Sequence, residues 1–197
     1  MTFKQLINSI LGPILGSIFG IEVSIKNPRE AIKFAKIYFK LNPITAIEVG
    51  VFEGENAKSI LKNLNIDRIF LIDPYKKYDD YKKEGNCINI VKAKQKAFKR
   101  LKRFSNKIIW ILDYSSNASK EIKRKVDFVY IDGNHKYKYV KDDLENYWKL
   151  IKNGGIMSGH DIQCLDVSKA VIEFCNKNKL ELNIGDRRDW WIKKTST

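Results

Sequence analysis

Ala46-Ile47-Glu48-Val49-Gly50-Val51-Phe52-Glu53-Gly54-Glu55-Asn56 reads as a buried strand ending beyond an acidic residue, then a Gly-x-x-x-Gly loop, then the opening of a helix. The helix is expected because Ala57, Ile60, Leu61 and Leu64 recur at i, i+3, i+4 and i+7, which builds one apolar face, and Asn56 is placed to cap it. Where a strand, a glycine turn and a helix N-terminus meet, backbone N–H groups point at a ligand and glycine lets the main chain approach it. Sterics restrict that ligand. A dinucleotide site needs glycine in the middle of G-x-G-x-x-G, so that pyrophosphate can lie on the backbone, and here that position is Phe52. A P-loop needs Gly-Lys-Ser/Thr, which does not follow. What remains is a nucleoside cofactor without phosphates.

The next apolar run, Arg68-Ile69-Phe70-Leu71-Ile72-Asp73, ends in a carboxylate about 20 residues beyond the glycine loop, where an acidic side chain accepts hydrogen bonds from ribose hydroxyls. Glu48 and Asp73 would then flank a cationic nucleoside. Apolar strands at 44–49, 68–72, 108–112, 126–131 and 155–159 alternate with helical stretches at 56–64, 90–104, 116–124, 138–151 and 165–178, implying right-handed β-α-β crossovers. The expected fold is an α/β, three-layer, Rossmann-like doubly wound sheet, mostly parallel. Two last strands, at about 180–184 and 189–193 around Gly185-Asp186-Arg187-Arg188, read as an antiparallel hairpin. A helix over 28–41 precedes the first strand, with Asn27 as cap, Pro28 at the first helical position and Glu30 completing a capping pair. Its inward side would be Ala31, Phe34, Tyr38 and Leu41.

In these segments the chain resembles the class I S-adenosylmethionine-dependent methyltransferases, from about residue 44 to the C-terminus. Glu48-Val49-Gly50-Val51-Phe52-Glu53-Gly54 is similar to their first motif, Leu71-Ile72-Asp73-Pro74-Tyr75 to their second, and Asp127 through His135 to their fourth. Within the class, Asp132-Gly133-Asn134-His135-x-Tyr137, Asp143-Leu144, Gly154-Gly155 and His160-Asp161 resemble a small-domain subgroup of O-methyltransferases. The resemblance implies S-adenosylmethionine as cofactor, held by Glu48, Gly50, Phe52, Gly54, Asp73, Pro74 and Asp132. It also implies an adenine-enclosing loop at 111–118, with Asp113, Tyr114 and Ser115 as contacts. For Ser115 or Ser116 a helix cap is the structural alternative.

Methylating a hydroxyl requires aligning its oxygen with the methyl donor and removing its proton. His135 is the candidate base, since imidazole titrates near neutrality, and Asp132 stands beside it in the sequence. The bland alternative for His135 is a loop-fixing hydrogen bond. Asp132 and Asp161 could hold a divalent ion, magnesium or manganese, that lowers the pKa of the substrate oxygen. The resembling metal-dependent members carry oxygen ligands at the positions of Asp132, His160 and Asp161, with a base at His135. His160 departs from that set, because imidazole favours manganese, iron or zinc over magnesium. A metal-free, hydrogen-bonded substrate site therefore stands beside the metal reading. Asp143 falls on a helix with Val140, Leu144, Trp148 and Ile151 inward and reads as solvated or structural.

The 197 residues and 44% hydrophobic content suffice for one core, so a single domain over 27–197 is expected behind an apolar segment at 1–26. Cys87, Cys164 and Cys175 form no C-x-x-C pair, which suggests neither zinc nor a disulfide framework and fits a reducing cytoplasm. Residues 10–23 are interrupted by Gly12, Pro13, Gly16 and Gly20 and are too short to span a bilayer; a lid, a partner surface or a peripheral membrane contact through 6–25 are the readings that remain. A net charge of +14 raises RNA as a partner, although no RNA-binding motif accompanies it. The leading expectation is O-methylation of a small molecule or sugar. RNA methylation and a silent nucleoside-binding or partner-binding module are its rivals, and a homo-oligomer is compatible with each.

Overall fold

The computed structural model describes residues 28–76, 89–186 and 188–195. The apolar N-terminal segment, the Asn27 cap, the greater part of the 75–83 stretch, Cys87 and Arg187 lie outside the described residues.

Seven strands form one sheet: β1 (Ile44–Val49), β2 (Ile66–Ile72), β3 (Ile108–Ile111), β4 (Val126–Ile131), β5 (Ile151–Gly159), β6 (Asn183–Ile184) and β7 (Trp190–Lys193). The order across the sheet is β3-β2-β1-β4-β5-β7-β6, with β1 to β5 parallel and β7 antiparallel to both β5 and β6. The helices are α1 (Glu30–Phe39), α2 (Glu55–Asn63), α3 (Ile90–Leu101), α4 (Ser115–Glu121), α5 (Tyr137–Trp148) and α6 (Leu165–Asn178). One apolar cluster joins α1, α2 and α3 to the sheet face bearing Ala46, Ile69, Phe128 and Tyr130, while the other joins α4, α5 and α6 to the face bearing Ile47, Val49, Val129 and Met157. Strand alternation thus sends neighbouring residues into opposite layers. The doubly wound, three-layer expectation holds.

The order of strand addition reverses between β1 and β4: β2 and β3 are added on one side of β1, and β4 lies parallel to it on the other. The crevice at the carboxyl ends of these two strands is where such sheets take ligands. Every residue of β1 is buried, as a central strand requires.

Several boundaries differ from expectation. Gly154, at φ +78, bends β5 without ending it, and Ile151 already pairs with Val126, so the strand starts at 151 and α5 stops at Trp148. α3 tightens into a 3₁₀ turn, Lys102–Lys107, where one helix over 90–104 was expected. Pro28 lies ahead of α1, Arg29 occupies its N-cap position without a side-chain cap bond, and the Ala31 N–H is taken instead by the Asp189 carboxylate at 3.0 Å. The capping pair expected of Glu30 involves Asn27 and so lies outside the described residues; Glu30 meets Lys33 at 2.8 Å. The buried side of α1 is Ala31, Ile32 and Ala35; Phe34 stacks on Tyr38 and Trp191, and Leu41 is exposed. Asp143 is buried among α5's inward residues, which corrects the solvated reading.

Candidate active site

The glycine loop is shaped by the carboxylate of the neighbouring strand. Asp73 Oδ2 accepts the N–H groups of Val51 at 3.0 Å and Phe52 at 2.9 Å, while Oδ1 accepts that of Tyr75 at 2.8 Å. The Tyr75 hydroxyl donates back to the Phe52 carbonyl at 2.9 Å. Gly50 and Gly54 sit at φ +85 and +74, and Phe52 itself is left-handed at φ +48. Amides that could cradle a phosphate are thereby spent on a carboxylate, which agrees with a ligand lacking phosphates. Gly54 provides the N-cap position of α2, so Asn56 is no cap: it lies within the helix and donates from Nδ2 to Glu48 Oε1 at 2.9 Å.

Glu48 is fully buried behind this loop. Burial, offset only in part by the Asn56 bond, pushes its carboxyl up to about 8. Glu48 Oε2 and Asn56 Oδ1 are both buried without a partner among the described residues. A protonated Glu48 offers an O–H where these two acceptors otherwise lack a donor.

At the far end, Asp113 turns back on its own helix, accepting from Tyr114 N at 2.7 Å and Asn117 Nδ2 at 3.1 Å. Neither Ser115 nor Ser116 caps α4, whose N-cap position is Tyr114. Asp143 reaches Ser115, and its burial pushes it up to about 7.

Above the ends of β4 and β5 stands a ring of acids and imidazoles. Arg29 Nη1 donates to Asp132 Oδ2 at 2.6 Å and to the Tyr130 hydroxyl at 2.9 Å, and Tyr130 donates to Asp189 Oδ1 at 2.8 Å. His135 Nε2 is 3.2 Å from Asp161 Oδ2 and 3.7 Å from Asp132 Oδ1. His160 Nδ1 is 3.2 Å from Asp161 Oδ2, and its Nε2 is 4.0 Å from Asp189. Asp132 and then Asp161 raise the proton affinity of His135. Burial opposes ionisation of Asp132, yet His135 and Arg29 outweigh it and hold the carboxyl below its ordinary value. Asp161 is held well below the carboxylate range, chiefly by His160.

A cavity of about 1080 Å³ runs between these groups. Of the residues read from the sequence, Gly50, Phe52, Asp73, Pro74, Tyr114, Ser115, Asp132 and His135 line it. Glu48, Gly54 and Asp113 stand behind the wall, as do His160 and Asp161, which meet the cavity through His135. Arg29, Asn56 and Asp143 line it without having been read as ligand-binding residues. Asp132, His135 and Asp161 each offer a ligand atom, all within 4.8 Å of one another, so the set that could hold a cation contains His135 where the sequence pointed to His160.

A family model described as a methyltransferase domain matches residues 47–162, more than half of the chain. The chain belongs to the class I S-adenosylmethionine-dependent methyltransferases. This methyltransferase is 28% identical over 150 residues to an uncharacterised protein of Acanthamoeba polyphaga mimivirus, a match covering 75% of the chain and 64% of that relative's length. Among solved structures it is similar to the O-methyltransferase NovP, at TM-score 0.64 and 17% identity over 85% of this chain and 79% of that one. An rRNA methylase from Streptococcus thermophilus follows at 0.58 and 13%, over 87% and 99%. The N-methyltransferase NodS from Bradyrhizobium japonicum, bound to S-adenosyl-L-homocysteine, gives 0.53 and 14%, over 82% and 83%. At such identities these likenesses establish the fold alone.

The cavity suits the cofactor of the family. Its volume lies just above the usual range for small-molecule sites, roughly 300–1,000 Å³, which leaves room for an acceptor beside the cofactor. In its glycine loop the Val51 and Phe52 amides are engaged by Asp73, whose carboxylate stands at the cavity wall. No helix among the described residues is long and apolar enough to cross a membrane.

Proposed function

We propose that this methyltransferase transfers a methyl group from S-adenosylmethionine to a hydroxyl of a small molecule or sugar. The observation that carries the reading is the placement of His135 and Asp132, 3.7 Å apart, on the wall of the cavity that Asp73 and the glycine loop also line. Bound there, the cofactor supplies an activated methyl group. Asp73, Pro74, Tyr114 and Ser115 hold its nucleoside, and Gly50 lets the backbone approach it. His135 keeps its Nε2–H towards Asp161 and Asp132 and accepts the hydroxyl proton at Nδ1, and the two carboxylates stabilise the imidazolium that results.

A divalent cation fits the same place, since two carboxylate oxygens and an imidazole nitrogen lie within 4.8 Å of one another. Held by Asp132, His135 and Asp161, it would lower the pKa of the bound hydroxyl, and the mixed oxygen and nitrogen set suits manganese better than magnesium. The net charge of +14 supports a second reading, methylation of RNA.

The test is an acceptor screen with S-adenosylmethionine and wild type, His135→Ala and chelator-treated protein, following S-adenosylhomocysteine release. Turnover with a hydroxylated small molecule, lost in His135→Ala, supports the reading. Turnover confined to RNA and falling steeply with salt supports the rival.

A further inference from the structure

Arg29 is a cation at the end of a helix that favours anions, and its guanidinium is carried into the cavity wall. Both of its hydrogen bonds leave from Nη1, to Tyr130 and Asp132, and the cation lies 5.4 Å from the centre of the Tyr130 ring. These contacts fix the plane of the group. An arginine has five N–H donors, so the three on Nε and Nη2 keep no partner among the described residues. The Nε–Nη2 edge is the fork that matches a carboxylate or phosphate in a bidentate manner. The side chain is 30% exposed, enough for that edge to meet a ligand, and Asp132 joins it to His135.

The rest of the wall agrees. Its carboxylates are largely engaged by the protein: Asp132 by Arg29, Glu53 by Lys96, Glu55 by Arg100, and Asp73 by backbone amides. Asp142 opposes the cations from α5. Lys76 Nζ lies 5.4 Å from the centre of the Tyr114 ring, and Lys138, one turn beyond His135, has no ionic partner among the described residues.

We propose that Arg29 binds the acceptor, and that the acceptor carries an oxyanion, carboxylate or phosphate, close to the hydroxyl that is methylated. This rests on the hydroxyl-methylation reading. Arg29 thus has two tasks: one nitrogen positions Asp132, and the Nε–Nη2 fork selects the substrate.

Wild-type protein saturated with S-adenosylhomocysteine is titrated calorimetrically with glycerol, glycerate and glycerol 3-phosphate, which share hydroxyls and differ in the anion. At least one anionic probe should bind roughly tenfold or more tightly than glycerol, and which one does so separates carboxylate from phosphate. Arg29→Gln should erase the preference while S-adenosylhomocysteine affinity stays near wild type, and Arg29→Lys should restore part of it. Equal binding of all three probes, or a preference that survives in Arg29→Gln, overturns the proposal. Failure of wild type to bind S-adenosylhomocysteine would instead overturn the methyltransferase reading on which it rests.

Discussion

Gly50 and Asp132 approach so closely that a Cβ on Gly50 would lie 2.0 Å from the Asp132 carbonyl oxygen. The Asp132 N–H also donates to the Val49 carbonyl at 2.8 Å, so the loops leaving β1 and β4 are locked together at the crevice. Gly50 is therefore required by its neighbour as much as by any ligand. Gly50→Ala combines that clash with a φ of +85 and should cost several kcal/mol, of the order of 3 or more. Thermal unfolding checks this, and a Tm within a degree or two of wild type would contradict it.

Glu48 predicts a pH-dependent stability. Its pKa rises from 4.5 to about 8 on folding, so the native state binds the proton more tightly than the unfolded chain. The contribution is fully present below about pH 4.5 and is lost as pH rises towards 8, by up to about 1.4 kcal/mol per pH unit. Glu48→Gln keeps a neutral partner for Asn56 and should remove this slope, so its Tm should gain on wild type between pH 5 and pH 8. Parallel Tm curves would show that Glu48 does not titrate in this window.

His135 predicts the pH dependence of turnover. Only neutral imidazole accepts a proton, and Asp132 and Asp161 raise its pKa above the ordinary 6.5. kcat/KM should therefore rise with pH through an inflection above that value, and Asp161→Asn should move the inflection down. His135→Ala should reduce kcat by roughly 10²–10⁴ while leaving cofactor affinity near wild type. An inflection indifferent to Asp161 would remove His135 from the role of base.

The sheet was legible because its cues are local. Buried apolar runs, turn residues and helical periodicity placed all seven strands near their observed positions, and the Asp73 spacing located the crevice. The errors have physical causes. Asn56 carries the sequence marks of a cap, but a left-handed Gly54 already ends the loop and buried Glu48 needs a donor. The fifth strand was expected only from 155, whereas its ladder with β4 already begins at Ile151. Arg29 and Asp189 gave no signal, because they are 160 positions apart in sequence and come to share Tyr130 only when α1 packs against β5 and β7. Contacts of that separation have no periodicity to betray them.

The central claim is a phosphate-free nucleoside site built around Asp73, and calorimetric titration with S-adenosylhomocysteine tests it most directly. Wild type should bind saturably with one site per chain. Asp73→Ala, which removes the acceptor for the Val51, Phe52 and Tyr75 amides, should weaken binding by about 100-fold or more. No binding by wild type, or equal binding by the variant, would contradict the account.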